Sequence, residues 1–199
     1  MSKKAHLHLR TDPVMAELIE KFGPIPLRGR RQPTFQSLTR AIVFQQLSGK
    51  AAETILGRFI ALFGDLPFPE PEHVLTMTVD QLRSAGLSRP KAAYILGLAE
   101  NAVAGTLPSL EACKAMTDAQ ILSALTSIKG IGRWTAEMLL IFNLGRADVL
   151  PVHDLGVRRG FQRAYGKRAM PLPEQLDKFG LRWSPHRTTA ARYLWRAAD

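Results

Sequence analysis

Apolar residues at helical spacing run through almost the whole chain, and they constrain its fold more than any other feature. Phe35, Leu38 and Ile42 lie three and four residues apart, and a similar series begins at Trp134. This is the spacing of residues on one face of an α-helix. No alternation of apolar and polar residues extends beyond four positions. The sequence therefore predicts an all-α fold of about ten short helices joined by short loops.

The charge of the chain points to a polyanionic partner. Its 199 residues are 46% hydrophobic, enough for a core, and they carry a formal net charge of +10. Residues 129–199 hold 13 basic and 6 acidic side chains, whereas residues 1–128 hold 14 and 11. Because the excess lies in the C-terminal third, we expect that part to attract a polyanion such as nucleic acid. A basic surface that only serves solubility is the alternative.

Residue content excludes several kinds of site. Cys113 is the only cysteine, so the chain forms no internal disulfide and no cysteine-ligated zinc or iron–sulfur site. His6 and His8 have no third ligand nearby in the sequence, so no metal site is predicted there. The N-terminus lacks the apolar core of a signal peptide, and no apolar run is long enough to span a membrane. We therefore expect a cytoplasmic protein without a membrane partner.

Two glycines, Gly130 and Gly132, precede a predicted helix. Glycine permits a positive φ and lets another backbone approach closely, and the first N–H groups of a helix are unpaired within it. Together with the helix dipole and the flanking cations Lys129 and Arg133, these amides predict a phosphate-binding turn. An ordinary turn between two helices is the alternative interpretation of the glycine pair alone.

A single carboxylate, Asp154, begins the next predicted helix, 20 residues after Trp134. Aspartate is a favoured N-cap, so a purely structural role is the first interpretation. Only one apolar helix separates the two positions, and such a connection can fold the carboxylate back towards the glycine turn. The arrangement therefore also supports a catalytic carboxylate beside phosphate-binding amides.

The pattern Leu125-x-x-Ile-x-Gly-Ile-Gly-x-x-Thr-Ala resembles the helix–hairpin–helix of DNA repair proteins. The hairpin followed by an aspartate is typical of the helix–hairpin–helix DNA glycosylase superfamily. Within it the chain resembles the 3-methyladenine DNA glycosylase II type, which acts on alkylated bases. The resemblance covers roughly residues 36–197 and includes four further segments in order, Ala41–Ala52, Gly86–Ala92, Gly105–Pro108 and Arg182–Pro185.

The resemblance implies a two-lobed helical fold with the active-site cleft between the lobes. Residues 1–199 would form a single glycosylase domain, with residues 36–145 as the central lobe. Residues 1–35 and 146–199 would form the second lobe. The resemblance also implies a monomer that binds double-stranded DNA containing damaged bases and requires no cofactor. In a bacterium it would be associated with the nucleoid.

The implied reaction is hydrolysis of the N-glycosidic bond of an alkylated base, such as 3-methyladenine or 7-methylguanine. The base would first be flipped out of the duplex. Asp154 would then stabilise the positive charge that develops on the sugar. Bifunctional relatives carry a Schiff-base lysine at the position of Trp134, so we expect no strand cleavage. The alternatives are a glycosylase for deaminated or mismatched bases and a non-catalytic helix–hairpin–helix DNA-binding module.

The resemblance also assigns residues to the pocket and to the DNA interface. The pocket for the flipped base would be lined by Trp134, Met138, Leu155 and His186. The last three stand where relatives carry aromatic residues, so we expect weaker stacking on the base. The expected DNA contacts are Gln45, Gln46, Leu47, Lys129, Gly130, Gly132, Arg133 and Thr135, the last through its hydroxyl.

Two of these assignments are more specific. The side chain that fills the vacated base stack is best matched by Gln46, with Leu47 second. Glutamines that simply end a helix in water are an equally weighted alternative. A structural Na⁺ or K⁺ would be bound at the hairpin by the backbone carbonyls of Leu125, Ile128 and Gly130, by the positions that relatives use.

Overall fold

The structure is a computed structural model, and it describes residues 3–47 and 49–198. Within these ranges all regular secondary structure is helical, so the predicted all-α class is confirmed. The described residues form thirteen α-helices rather than about ten. The additional ones include helices of five or six residues, which are too short to show a full apolar period. None of the helices in the described ranges is long and apolar enough to cross a membrane.

The α-helices in chain order are α1 (Lys3–Leu9), α2 (Pro13–Phe22), α3 (Thr34–Phe44), α4 (Gly49–Ala61), α5 (Pro71–Leu75), α6 (Val79–Arg83), α7 (Arg89–Val103), α8 (Leu110–Ala115), α9 (Asp118–Thr126), α10 (Arg133–Met138), α11 (Leu155–Ala164), α12 (Pro173–Gly180) and α13 (Arg187–Ala198). A π-helical segment, Leu139–Leu144, continues α10, and a 3₁₀ turn, Leu181–Trp183, follows α12.

The chain divides into two compact units. Residues 31–139 form one, which we call the hairpin unit, and the remaining described residues form the carboxylate unit. Both boundaries lie a few residues before the expected positions 36 and 145. In the carboxylate unit the segment before residue 31 packs on the residues after 139. The Arg30 amide donates to Phe142 O at 2.9 Å, and a Cβ on Gly29 would lie 2.2 Å from Asn143 O.

In the hairpin unit, α7 is the central helix. It packs against α3, α5 and α6, while α10 packs against α3 and α9. Ile95 and Leu98 of α7 are fully buried, as are Ile121 and Leu125 of α9. These contacts place the turn between α9 and α10 next to the C-terminal end of α3.

The core of the carboxylate unit is organised around Trp183, which is fully buried. Its indole N–H donates to Asp12 Oδ2 at 3.1 Å, and the Tyr165 hydroxyl donates to the same oxygen at 2.6 Å. Asp12 also caps α2 by accepting the Val14 amide at 3.1 Å. Burial and the neighbouring carboxylate raise the pKa of Tyr165, which therefore remains a neutral donor. The cluster joins the start of α2, the end of α11 and the 3₁₀ turn.

Two glycines of α11 allow it to lie directly against α13. A Cβ on Gly160 would be 1.8 Å from Leu194 O, and a Cβ on Gly156 would be 2.9 Å from Trp195 Cδ1. Real Cβ atoms do not approach backbone so closely, so any larger residue at Gly160 must push the two helices apart. Asp154 caps α11, and its position relative to α13 therefore depends on these glycines.

We predict that Gly160→Ala lowers the free energy of unfolding by about 1–3 kcal/mol, because the added methyl group overpacks the α11–α13 contact. Gly97→Ala in α7 is the matched control, since nothing lies within 4 Å of the Cβ it would add. The free energy of unfolding of that control should equal the wild-type value or exceed it by up to ~1 kcal/mol, because alanine has the higher helix propensity. Urea denaturation followed by circular dichroism measures both. A Gly160→Ala protein as stable as the wild type would contradict the close packing.

Candidate functional site

The two glycines of the predicted phosphate-binding turn have different roles. Gly130 has a φ of +90°, and a Cβ there would lie 2.2 Å from Tyr94 Cγ. Gly132 has a φ of −84°, which any residue adopts, and nothing lies within 4 Å of its potential Cβ. The fold therefore requires glycine at position 130. At position 132, glycine leaves open space at the N-cap of α10, where the first helix amides begin.

Gln45 ties the turn after α3 to this hairpin. Its side-chain amide donates to Thr135 Oγ1 at 2.9 Å and to Gly130 O at 3.2 Å. Thr135 is only 1% exposed. Its hydroxyl accepts the Gln45 amide and keeps its own proton to donate, so the contact of Thr135 with DNA stays a prediction. For Gln45 the structure shows a bracing contact that the sequence did not predict.

Lys91 fixes the same turn through backbone carbonyls. Its ammonium donates to Val43 O at 2.8 Å and to Gln45 O at 2.7 Å, at the C-terminal end of α3. Burial lowers the pKa of Lys91, while the two carbonyls and the negative end of the helix dipole favour its charged form. Lys91 belongs to a segment that carries the family resemblance, but no role was predicted for it.

The braced turn exposes Gln46 and Leu47. Gln46 has a φ of +57°, in the left-handed region that non-glycine residues seldom occupy. Such a conformation persists only where surrounding contacts fix it, as Gln45 and Lys91 do here. Beside the turn is a cavity of about 230 Å³, lined also by Ile55 and Leu87. Both candidates for filling a base stack are thus accessible to a partner, and the choice between them stays a prediction.

The two cations beside the hairpin differ in their surroundings. Lys129 is exposed. Arg133 is also exposed, but its Nε donates at 2.8 Å to Glu137 Oε1, on a side chain that is only 2% exposed. The ion pair holds the Arg133 guanidinium along the first turns of α10. Both cations remain available to a phosphate, with Arg133 the more restricted of the two.

The three carbonyls predicted to hold a cation already accept hydrogen bonds. Leu125 O accepts the amides of Ser127 and Ile128. Ile128 O accepts the amide of Ile131 at 3.0 Å, and Gly130 O accepts the side chain of Gln45. A backbone carbonyl oxygen has two lone pairs, so an oxygen that accepts a hydrogen bond can also contact a cation. The cation site at these three carbonyls therefore stays a prediction, and the proposed reaction does not depend on it.

Asp154 is buried at the start of α11, with 9% of its surface exposed. Its Oδ1 accepts the Val157 amide at 2.8 Å, the N-cap bond that the sequence predicts. The same oxygen accepts the indole N–H of Trp195, also at 2.8 Å. A carboxylate held by two donors from α11 and α13 has a fixed position and orientation, as a group that must stabilise a developing charge requires.

The four residues assigned to a base pocket are distributed over both units. In the hairpin unit Trp134 is half-buried and Met138 is buried. In the carboxylate unit Leu155 is 55% exposed and His186 is half-buried. The His186 ring lies edge-on to His8, with 5.6 Å between their centroids. Burial and the neighbouring His8 lower the pKa of His186, which favours the neutral imidazole.

The backbone that carries His186 is held by Asp148. This carboxylate accepts the Arg187 Nε at 2.9 Å and the Ser184 hydroxyl at 2.9 Å. Burial alone would raise the pKa of Asp148, but the hydrogen bonds from Arg187 and Ser184 outweigh it and lower the pKa. The turn before α13 is therefore fixed by an ionised carboxylate at neutral pH.

Comparisons with known proteins bear on this arrangement. Residues 39–186 match the family model described as HhH-GPD superfamily base excision DNA repair protein. The DNA-3-methyladenine glycosylase 1 of Schizosaccharomyces pombe is 35% identical over 184 residues, which are 92% of this chain and 80% of that protein.

Solved structures show the same likeness. The S. pombe 3-methyladenine DNA glycosylase in complex with abasic DNA superposes with a TM-score of 0.92 at 34% identity, covering 98% of this chain and 96% of that one. A DNA-3-methyladenine glycosidase from Bacillus halodurans gives a TM-score of 0.82 at 37% identity, covering 100% and 90%. The likeness therefore extends over both units of the chain.

The hairpin geometry predicts that alanine destabilises the protein at one of its two glycines and has little effect at the other. Gly130→Ala should lower the free energy of unfolding by about 1–3 kcal/mol, because it combines a left-handed φ with a clash against Tyr94. Gly132→Ala, the matched control, should change it by less than about 0.5 kcal/mol. Thermal and urea unfolding measure both. Equal losses in the two variants would show that the turn does not have this conformation.

Proposed function

The chain belongs to the HhH-GPD superfamily of base excision DNA repair proteins, and on this basis we propose that it is a monofunctional DNA glycosylase. It hydrolyses the N-glycosidic bond of alkylated bases in duplex DNA and so initiates base excision repair. The observation that carries the proposal is the fixed carboxylate of Asp154 in a chain that also presents a helix–hairpin–helix. A module that only binds DNA needs the hairpin but not the carboxylate.

The hairpin unit supplies the grip on DNA. The amides at the start of α10 are approached through the open space at Gly132, and Lys129 and Arg133 add positive charge. Contacts of this kind bind phosphate whatever the base sequence, and they position the protein on the duplex. The Gln45 bond to Gly130 and Thr135 keeps this turn in register with the exposed Gln46 and Leu47.

Gln46 is the side chain that enters the stack when the damaged base leaves it. It is exposed at the tip of a turn whose backbone is held by Lys91 and Gln45. Filling the gap offsets part of the unstacking cost of a few kcal/mol. Leu47 is the second candidate, since it is exposed on the same turn.

Asp154 acts on the sugar. As the glycosidic bond breaks, the sugar becomes oxocarbenium-like, and the ionised carboxylate stabilises its positive charge and orients the attacking water. An alkylated purine such as 3-methyladenine already carries a positive charge and leaves as a neutral base, so strong acid catalysis is unnecessary. His186 is one of the four residues assigned to the base, and its lowered pKa disfavours the protonated imidazole that would repel a cationic base.

The reaction ends at an intact abasic site. Strand cleavage by related enzymes uses a lysine that forms a Schiff base with the sugar, and Trp134 occupies that position here. The protein acts as a monomer on double-stranded DNA in the cytoplasm, or on the nucleoid if the source is bacterial, and it requires no cofactor.

The test is a single-turnover base-release assay on duplexes that each carry one defined lesion. We expect faster release of 3-methyladenine and 7-methylguanine than of hypoxanthine or uracil, because the alkylated bases are the better leaving groups. The product strand should break only after alkali, and borohydride should trap no covalent complex. An undamaged duplex is the control.

Three other outcomes of this assay would contradict the proposed function. Faster release of hypoxanthine or uracil would indicate a glycosylase for deaminated bases, with a leaving-group acid. Tight binding of an abasic duplex without release of any base would indicate a DNA-binding module. A borohydride-trapped adduct would contradict the monofunctional reaction.

A further inference from the structure

Trp195, near the C-terminal end of α13, makes a direct contact with the carboxylate assigned to the reaction. Its indole Nε1–H donates to Asp154 Oδ1 at 2.8 Å, although the two residues are 41 positions apart in the chain. The Val157 amide donates to the same oxygen at 2.8 Å. An N-cap aspartate needs only the backbone bond, so the indole contact is additional to what capping of α11 requires.

We propose that Trp195 is a positioning residue of the glycosylase reaction, which holds the Asp154 carboxylate in the orientation that stabilises the cationic sugar. This inference rests on the proposed function and deepens it. Trp195 itself does not touch the reacting atoms and acts through Asp154.

The residues around the Trp195 indole leave room for this contact and restrict the rotation of the ring. A Cβ on Gly156 would lie 2.9 Å from Trp195 Cδ1 and 3.1 Å from Asp154 Oδ1, so glycine at this position makes room for the indole beside the carboxylate. On its other side the Trp195 ring lies against Phe142, with ring centroids 5.5 Å apart and an angle of 31° between the planes. The indole therefore has little freedom to rotate away from Asp154.

An indole suits this role for electrostatic reasons. It donates one hydrogen bond and accepts none, so it cannot exchange roles with the carboxylate or take up its proton. It is neutral, so it orients Asp154 without cancelling the negative charge that the sugar requires. Catalytic electrostatics depend on such preorganisation, because the groups need not rearrange as charge develops.

The first test is Trp195→Phe, which keeps an aromatic ring beside Phe142 but removes the N–H donor. We expect the single-turnover rate of base release to fall roughly 10- to 100-fold, the effect of one hydrogen bond to a charged group. The affinity for a duplex with a neutral tetrahydrofuran abasic site should stay at the wild-type value. Phe142→Leu, which loosens the packing of the indole but keeps its N–H, should lower the rate less than Trp195→Phe does.

A second measurement separates orientation of the charge from general support of the fold. The wild type should bind a duplex carrying a pyrrolidine, which is cationic at neutral pH, more tightly than the tetrahydrofuran duplex. Trp195→Phe should lose most of this preference, and Gly156→Ala, which displaces the indole by a different route, should lose it too. In an Asp154→Asn background, Trp195→Phe should have no further effect on the rate, because the two residues act as a unit.

Two results would overturn the inference. One is a wild-type rate in a folded Trp195→Phe protein. The other is an equal loss of affinity for the neutral and the cationic duplex, which would indicate a merely structural residue. Failure of the proposed function is a separate outcome, since the unaltered protein would then release no base. If the protein releases no base, the NMR resonance of the Trp195 indole N–H still tests its contact with Asp154. A resonance that stays unchanged in Asp154→Asn would contradict that contact.

Discussion

The close approach of α11 to α13 is the constraint on which the carboxylate depends. Gly160 lies against the backbone of Leu194, and Gly156 lies beside the indole of Trp195. Each glycine destabilises a helix by about 1 kcal/mol relative to alanine. At positions 156 and 160, however, glycine permits a contact between α11 and α13 that no larger residue allows. The result is a carboxylate at the start of one helix that is held by the side chain of another.

In the hairpin unit, polar side chains hold the turn after α3 in place. The hairpin and the turn after α3 are joined by one amide, Gln45, whose bonds to Thr135 and Gly130 span about 90 residues of sequence. Lys91 adds a charge-assisted brace at the end of α3. Buried polar groups of this kind stabilise only when their hydrogen bonds are made, so together they define one conformation of the turn that exposes Gln46.

Local patterns made the all-α class, a positive φ within the glycine pair and the N-cap role of Asp154 predictable from the sequence, because each depends on neighbours within one helical turn. The hydrogen bonds of Gln45 to the hairpin and of Trp195 to Asp154 were not predictable, since a hydrogen bond between distant residues leaves no spacing to detect. Thr135 illustrates the consequence. Its place in the hairpin motif predicts a contact with DNA, but nothing in that motif indicates that its hydroxyl is buried against Gln45.

In the proposed reaction one carboxylate, Asp154, drives base release. Asp154→Asn is the decisive substitution, because asparagine keeps the N-cap of α11 but removes the charge. On a duplex containing 7-methylguanine, we expect a single-turnover rate at least roughly 100-fold below the wild type, with unchanged affinity for an abasic duplex. Asp177→Asn, which alters an exposed carboxylate of the same unit, should behave as the wild type. An Asp154→Asn rate within a few-fold of the wild type would show that the charge of Asp154 does not drive base release.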